Sequence, residues 1–255
     1  MLKIIHISDC HLGDSPHTVY KNINPFQSLN SIKQHIRTHQ TNIDVVFATG
    51  DLSQTGNVES YQLLSKIFND WDASLFCIPG NHDNPLIMKR HFDFTPIDQL
   101  HTISINDFLF ILINTRVENQ EYGCITEIDL NSIDTICSEN ADKSIAVLIH
   151  HPPIKIQSEW MDKIGLSNGD TLMNRLTQQK NIKFLLHGHC HQEIDIQIEK
   201  IKILGTPSTC YQFKPRTLTM EIDDAFPAYR VISLDEKMNI SSEIIRVNPN
   251  VNFSQ

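Results

Sequence analysis

The chain has 255 residues and a formal net charge of −9, with 40% hydrophobic and 20% charged residues. This composition supplies a sizeable core and excludes a wholly disordered, collagen-like or low-complexity chain. An acidic surface argues against a protein that binds long nucleic acids or anionic membranes through bulk charge, but it permits a small anionic ligand at a locally positive site. We predict one domain over residues 1–248 and a tail over 249–255.

The start of the chain and its cysteines predict a cellular location. The first residues, MLKIIHISD, reach an aspartate at position 9, so we expect no secretory signal. No apolar run approaches the length of about 18 residues that a membrane span needs. Six cysteines are spread without a C-x-x-C pair, which predicts free thiols in a reducing cytoplasm. The sequence leaves monomer and homodimer open.

Strands and helices alternate in the first part of the chain. Short apolar runs at 2–8, 44–48 and 75–78 predict strands, and helical spacing at 26–39 and 57–69 predicts helices between them. This alternation indicates βαβ units with parallel strand pairs.

The pattern changes after residue 100. Runs at 101–106 and 108–113 flank an Asn-Asp turn and predict an antiparallel hairpin. Thr126 is predicted to cap a helix that ends at residue 139. The remaining predicted elements are strands at 145–149 and 182–186, a helix at 170–180, and strands at 193–198, 201–205, 218–222, 228–234 and 240–246. We therefore predict an α/β fold of two sheets packed face to face with helices outside. It contains a variable stretch at about 152–180 and a β-rich part at 193–248.

Side chains that can bind metals follow five of the predicted strands. They are Asp9, His11, Asp51, Asn81, His150, His189 and His191. In open α/β sheets, ligand sites form at the carboxyl ends of strands, so we expect these groups to meet in one cleft. Residues i and i+2 of an extended chain point the same way. Asp9 and His11 can therefore face one site, as can His189 with His191.

The donor types predict the kind of metal centre. Seven ligands are too many for one tetrahedral zinc ion but suit two ions that share a carboxylate. Nitrogen and hard oxygen donors without thiolate favour Mn, Fe, Co or Zn over Cu(I). Two ions about 3.5–4 Å apart can stabilise the attacking and leaving oxygens of a phosphoryl displacement. Taken singly, each motif is weak, because histidines also serve structural roles and aspartates also serve as turn or cap residues.

The five motifs together occur in the order typical of calcineurin-like metallophosphoesterases, which the chain resembles from residue 1 to about 200. The resemblance implies a four-layer α/β/β/α sandwich of two mixed sheets. It also implies two metal ions, with Fe or Mn expected and Zn or Co as alternatives. Asp51 would bridge the ions, and His82 would lie next to the scissile phosphate. One ion would take Asp9, His11, Asp51 and His191, and the other Asp51, Asn81, His150 and His189.

A narrower resemblance covers nearly the whole chain. The segments GHCHQEID, LGTPSTCYQFKP and FPAYRVISL are similar to those of the bacterial class III 3′,5′-cyclic-AMP phosphodiesterases of the CpdA type. This resemblance implies hydrolysis of cyclic AMP to 5′-AMP, with Asp51 and His82 as catalytic residues. The product phosphate would be lined by His11, Asp51, Asn81, His82 and His191.

Several alternatives stay open at this point. The same site could serve another phosphodiester, such as a glycerophosphodiester or a 2′,3′-cyclic nucleotide, and the fold could also carry a non-catalytic interaction module. A DNA nuclease is disfavoured because the chain is short and acidic and lacks a basic arm. His82 is either a general acid or a stabiliser of charge. We interpret His151 as a supporting residue, and segment 206–210 as either a tight β-connection or a contact with the nucleotide.

Overall fold

The computed structural model describes residues 1–69, 71, 73–92, 95–97, 100–235 and 239–250. The strands are β1 (Leu2–Ile7), β2 (Val45–Thr49), β3 (Ser74–Ile78), β4 (His101–Ile105), β5 (Phe108–Leu112), β6 (Ser144–Leu148), β7 (Ile182–His187), β8 (Ile194–Ile198), β9 (Ile201–Gly205), β10 (Gln212–Phe213), β11 (Ile222–Asp223), β12 (Ala228–Leu234) and β13 (Ile240–Arg246). The helices are α1 (Pro25–His39), α2 (Val58–Phe68), α3 (Pro85–Lys89), α4 (Glu127–Glu139) and α5 (Gly169–Gln178), with a 3₁₀ turn at Met161–Lys163.

Two mixed sheets form the centre of the molecule. The first has the order β13-β12-β1-β2-β3, and the second has the order β4-β5-β6-β7-β9-β8. In the first sheet β1, β2 and β3 run parallel, whereas β12 pairs antiparallel with both β1 and β13. In the second sheet β5, β6, β7 and β9 run parallel. The predicted parallel pairs and the predicted hairpin of β4 and β5 are therefore confirmed.

Three apolar clusters show how the layers stack. Phe47 of the first sheet and Phe110 and Phe184 of the second belong to the cluster between the two sheets. A second cluster joins the outer face of the first sheet to α1 and α2, and a third joins the outer face of the second sheet to α4 and α5. The order of layers is therefore helix, sheet, sheet, helix, and the predicted α/β/β/α sandwich is confirmed.

Local side chains determine where these elements begin. Thr126 caps α4 in a capping box: its hydroxyl accepts from the Asp129 amide, while the Asp129 carboxylate accepts from the Thr126 amide. Asn24 and Asn57 cap α1 and α2 through their side-chain oxygens. In the β4–β5 hairpin, Asn106 has a φ of 52°, a left-handed conformation that asparagine tolerates well.

The prediction of a strand at 218–222 is wrong. Only Ile222–Asp223 is extended there, and it pairs with Gln212–Phe213, a short strand that the sequence did not predict. Leu218 and Met220 alternate with Ile222 as in a half-buried strand, but their side chains are 71% and 49% exposed. Residues this exposed gain little from pairing in a half-buried strand, and residues 218–221 are not part of one. The short helix α3, which Asn84 caps, was also not predicted.

The last described residues lie against α1. The Pro249 carbonyl accepts hydrogen bonds from Gln27 and Ser31 of that helix. Residues 251–255 of the predicted tail lie outside the described residues. Among the helices that the structure describes, none has the length and apolar character needed to cross a membrane.

Replacing Phe47 with alanine should lower the free energy of unfolding by about 3–5 kcal/mol, because a cavity would form between the sheets. Phe47 is fully buried, with ring centroids 4.7 Å from Phe110 and 6.0 Å from Phe76. Phe226, which is 46% exposed, provides the matched control, and Phe226→Ala should change stability little. Urea denaturation measures both variants. Equal losses would contradict the assignment of Phe47 to the central core.

Candidate metal centre

The candidate donors lie on loops that leave the carboxyl ends of β1, β2, β3, β6 and β7. Backbone hydrogen bonds join these loops to one another. The amides of Asp9 and His11 donate to the carbonyls of Gly50 and Asp51, at 2.9 Å each, and the Gly188 amide donates to His150 at 3.1 Å. The last bond joins two loops of the second sheet, and the first two join two loops of the first. The His189 amide also donates to the Asp9 carboxylate, which joins the two sheets, and the His82 amide donates to Asp51, which adds the loop after β3. The predicted meeting of strand ends at one edge is therefore confirmed.

Five donor residues have a left-handed backbone. They are Asp9, His11, Asp51, His189 and His191, with φ values of 54°, 47°, 51°, 68° and 49°. The D-x-H and H-x-H pairs therefore face one site because of turns beyond the strands, and the extended chain assumed from the sequence is wrong. This conformation costs non-glycine residues about 1–3 kcal/mol each and persists only where the surroundings enforce it, most often at functional sites.

Glycines permit the close approach of these loops. At Gly80 an added Cβ would lie 2.2 Å from Asp51 Oδ1, which no side chain could accommodate. Gly50 has a φ of 94°, and a Cβ there would lie 2.4 Å from His150 Nδ1. Close contact with donor side chains therefore requires both glycines, and the left-handed turn requires Gly50 as well.

Asp9, His11 and His191 form one half of the site. His191 Nε2 lies 3.3 Å from Asp9 Oδ1 and 3.1 Å from His11 Nε2. The ligand atoms of the three residues all lie within 4.8 Å of one another, and all three side chains are buried. The backbone amide of His189 donates to Asp9 Oδ2 at 3.0 Å. The Asp9 carboxylate therefore also orients the loop that carries His189 and His191.

Asp51, His150 and His189 form the other half. His150 Nε2 lies 3.5 Å from Asp51 Oδ2 and 3.2 Å from His189 Nδ1. Asp51 lies between the halves, because it belongs to one close group with Asp9 and His150 and to another with His11 and His82. This shared position is the geometry expected for a carboxylate between two cations.

His82 and Asn81 complete the group on the loop after β3. The His82 amide donates to Asp51 Oδ1 at 2.9 Å, and its ring Nε2 lies 4.0 Å from Asp51 Oδ2. The His82 side chain is 35% exposed, whereas those of His11 and His150 are 2% and 0% exposed. Asn81 Oδ1 is buried and has no hydrogen-bond partner among the described residues.

Backbone carbonyls fix the tautomers of three histidines. The Nδ1 atoms of His150, His191 and His82 lie 2.6, 2.7 and 2.8 Å from the carbonyl oxygens of Thr49, Tyr211 and Gln54. Because a carbonyl only accepts, each Nδ1 must carry a proton and donate it. In the neutral imidazole, the Nε2 lone pair therefore faces the site, as in histidines that bind metals.

The charges in the site favour the binding of a cation. Burial would raise the pKa values of Asp9 and Asp51, but the histidines around them outweigh burial and hold both pKa values below the ordinary range. Burial lowers the pKa of His150, but the Asp51 carboxylate outweighs it and raises that pKa to about 9. Two ionised carboxylates in a buried site thus attract positive charge, as a proton on a histidine or as a metal ion.

Two buried atoms of possible metal ligands test whether these residues fit a metal ion. His189 Nε2 and Asn81 Oδ1 are buried and have no hydrogen-bond partner in the described part of the chain, which is costly unless a ligand pairs with them. The nitrogen and oxygen donors, with Nε2 lone pairs of two histidines aimed at carboxylates, match the preferences of first-row divalent metals. The residues therefore fit metal ions, and the donor set does not identify the element.

His151 lies close to His150 and His189 but is engaged elsewhere. Its Nε2 donates to the Glu121 carbonyl at 3.2 Å, and its Nδ1 accepts from the Thr115 hydroxyl at 2.8 Å. With both ring nitrogens occupied, His151 has no lone pair to offer an ion, despite its place in a close group of three histidines. This arrangement agrees with the supporting role inferred from the sequence.

Asp83 is a supporting residue that the sequence analysis missed. Its carboxylate accepts from the amides of Leu52, Ser53 and Gly80 and from the Tyr61 hydroxyl, at 2.9–3.2 Å. It therefore holds the loop of Asp51 against the loop of Asn81 and His82. Asp83 directly follows Asn81 and His82 in the sequence G-N-H-D at 80–83, but the backbone amides that it binds cannot be identified from residue types.

Segment 206–210 supports the donor loops from behind. The Ser208 hydroxyl donates to the Asp9 carbonyl at 2.7 Å, and the Thr209 amide donates to the Ser8 carbonyl at 3.1 Å. Thr206, Ser208, Thr209 and Cys210 are all 0% exposed. Of the two interpretations of this segment, the structure supports the tight connection, since buried side chains are not open to a nucleotide.

Two curated proteins are similar over almost the whole chain. A 3′,5′-cyclic-nucleotide phosphodiesterase from Nostoc sp. is 28% identical over 246 residues, covering 96% of this chain and 92% of that protein. The 3′,5′-cyclic adenosine monophosphate phosphodiesterase CpdA from Escherichia coli is 28% identical over 247 residues, covering 96% and 90%.

A solved structure and a family model agree with the fold. The crystal structure of a dimetal phosphatase from Danio rerio superposes with a TM-score of 0.70 over 97% of this chain and 99% of that one. Its sequence identity is 10%, so it shows the fold alone. The model of the calcineurin-like phosphoesterases matches residues 2–193. The chain therefore belongs to the calcineurin-like phosphoesterase family.

Proposed function

We propose that this protein is a dinuclear-metal phosphodiesterase that hydrolyses 3′,5′-cyclic AMP to 5′-AMP. The observation that carries the proposal is the convergence of Asp9 and Asp51 with four buried histidines at one edge of the sandwich, next to the loop of Asn81 and His82: His11, His150, His189 and His191. The names of the relatives from Nostoc and Escherichia coli support cyclic nucleotides as the substrate class. A non-catalytic module has no need for so complete a donor set.

The two halves of the site support an assignment of the ligands. Asp51 would be shared, because it lies close to donors of both halves. When bound, two such ions would lower the pKa of water and neutralise charge on a phosphoryl group. We expect iron or manganese, with zinc or cobalt as alternatives. One ion would be held by Asp9, His11, Asp51 and His191, and the other by Asp51, Asn81, His150 and His189.

His82 is the histidine best placed to meet a substrate, because its side chain is the most exposed of the histidines in the site. The Gln54 carbonyl holds its Nδ1 proton, so Nε2 faces the cleft beside Asp51. A protonated Nε2 would neutralise charge on a phosphoryl oxygen or give its proton to the departing 3′ oxygen as water adds to phosphorus. We propose that His11, Asp51, Asn81, His82 and His191 line the phosphate.

The substrate and the cellular location follow from the same proposal. The partner would be a small cyclic nucleotide, and the net charge of −9 gives no support for a nucleic acid polymer or a membrane as partner. All six cysteines are free, and five of them are buried. Free thiols are typical of a reducing compartment, which supports a cytoplasmic enzyme.

Product identification tests the proposal directly. The purified protein, supplied with Mn²⁺ or Fe²⁺, should convert cyclic AMP to 5′-AMP, which chromatography separates from 3′-AMP. Parallel reactions with cyclic GMP, a 2′,3′-cyclic nucleotide and a glycerophosphodiester compare the alternative substrates. No hydrolysis of any of them, with metal bound, would overturn the enzymatic function, and faster hydrolysis of another diester would overturn cyclic AMP as the substrate.

The reconstituted protein should contain about two metal ions per chain, because the donors form two groups that share one carboxylate. Elemental analysis after removal of free metal measures the ratio. Treatment with a chelator should abolish hydrolysis of bis(4-nitrophenyl) phosphate, and added Mn²⁺ should restore it. A content of at most trace metal after reconstitution would contradict the assignment.

Asp51→Ala should lower turnover by more than the factor of about 10–100 that is typical when a residue supporting a metal ligand is lost. The reason is that Asp51 contacts donors of both halves. The control is Asp142→Ala, at an exposed aspartate before β6, which should keep full activity. Steady-state kinetics and metal content are measured for both. Wild-type turnover in the Asp51 variant would place the active site elsewhere.

His82→Ala should lower kcat by about 100- to 1,000-fold, as expected for loss of a group that transfers a proton or stabilises charge. Its metal content should change little, because the backbone amide that binds Asp51 remains. The exposed His39 on α1 provides the control variant, His39→Ala. If the His82 variant instead loses metal, His82 is a ligand and the assignment is wrong.

A further inference from the structure

Tyr211 lies against the donor side chains of the first half of the site. Its ring stacks on His11, with centroids 5.3 Å apart and planes at 22°, and it contacts His191 at 4.8 Å. The side chain is 7% exposed. Tyr211 is not among the seven residues predicted to bind metal. It lies directly after the segment 206–210.

Contacts with His191 and Asp9, two of the proposed metal ligands, fix the position of Tyr211. Its carbonyl accepts the Nδ1 proton of His191 at 2.7 Å. The preceding amide, of Cys210, donates to the Ser208 hydroxyl, which in turn donates to the Asp9 carbonyl. Phe213 packs against the ring with centroids 5.5 Å apart. The phenol is thus held in place before any substrate binds.

The Tyr211 hydroxyl differs from the hydroxyls of the other buried tyrosines. It makes no hydrogen bond with any residue that the structure describes, yet it is not among the buried polar atoms that lack a partner, so it opens to solvent. The hydroxyls of two other buried tyrosines are paired: Tyr61 with Asp83 and Tyr229 with His35. A largely buried tyrosine normally pairs its hydroxyl. An unpaired and accessible O–H beside metal donors is therefore available to a ligand.

A phenol is protonated near neutral pH and donates one hydrogen bond. His11 and His191, the two histidine rings that Tyr211 contacts, are also residues proposed to line the phosphate. A fixed O–H donor at this place meets anionic oxygens without reorganisation.

We propose that the Tyr211 hydroxyl donates a hydrogen bond to the phosphodiester group of the substrate, as a second donor beside His82. This inference rests on the phosphodiesterase function proposed above. The proton stays on the tyrosine, so its part is to bind and orient the phosphoryl group. The contact is to the phosphoryl oxygens that all diesters share, and the nucleoside is not needed for it.

Tyr211→Phe tests this contact, because it removes the hydroxyl and keeps the ring that packs on His11. The matched control is Tyr229→Phe, which removes a hydroxyl on the far side of the first sheet, next to α1. We measure kcat and KM with cyclic AMP and with bis(4-nitrophenyl) phosphate, metal content, and binding of 5′-AMP by calorimetry.

We expect kcat/KM of Tyr211→Phe to fall by about 10- to 100-fold with both substrates, the loss typical of a hydrogen bond to a charged group. Binding of 5′-AMP should weaken, and metal content and the Tyr229→Phe control should match wild type. Unchanged kinetics would overturn the proposal. A loss with cyclic AMP alone would also overturn it, because the contact would then be to the nucleoside. Loss of metal would overturn it as well, because the hydroxyl would then support the metal ligands and not the phosphodiester.

The aryl diester separates this test from the proposed substrate. If wild type hydrolyses bis(4-nitrophenyl) phosphate but not cyclic AMP, the cyclic nucleotide is excluded, and the aryl diester still measures the role of Tyr211. A loss with the aryl diester then supports the contact, and no loss overturns it.

Discussion

Two carboxylates, Asp9 and Asp51, are buried within a few ångströms of imidazole nitrogens, and the arrangement of the whole edge follows from them. Like charges in a protein interior are unfavourable unless positive charge lies between them. The parallel strands of both sheets end at this edge, which brings donors from β1, β2, β6 and β7 close enough to supply imidazoles. The sandwich therefore serves to hold negative charge where a cation can compensate for it.

The backbone takes part in this arrangement as much as the side chains do. Carbonyls of Thr49 and Tyr211 set the tautomers of His150 and His191, and the Asp83 carboxylate ties the amides of two loops together. Such contacts keep donor atoms in place in the absence of a ligand. The exposed His82 and the accessible hydroxyl of Tyr211 lie next to these fixed groups, where an incoming anion would meet them.

The sequence predicted the parts of the fold that depend on local patterns. Apolar runs predicted β1, β2 and β6, and Thr126 predicted the start of α4. The positions of Asp and His residues directly after strands predicted which side chains would meet at one edge. It failed where the outcome depends on distant surface. Leu218 and Met220 alternate like strand residues but stay largely exposed. The left-handed turns, the carbonyls that orient the histidines and the amides bound by Asp83 also depend on loops far apart in the chain, which residue types do not specify.

The left-handed turns at five donor residues connect folding with ligand occupancy. These turns persist because hydrogen bonds join the loops, from the amides of Asp9 and His11 to Gly50 and Asp51 and from the His189 amide to the Asp9 carboxylate. An ion that binds the native chain and not the unfolded one stabilises the former by mass action. A cation bound between Asp9 and Asp51 would therefore offset part of the backbone strain in the turns that carry these two carboxylates.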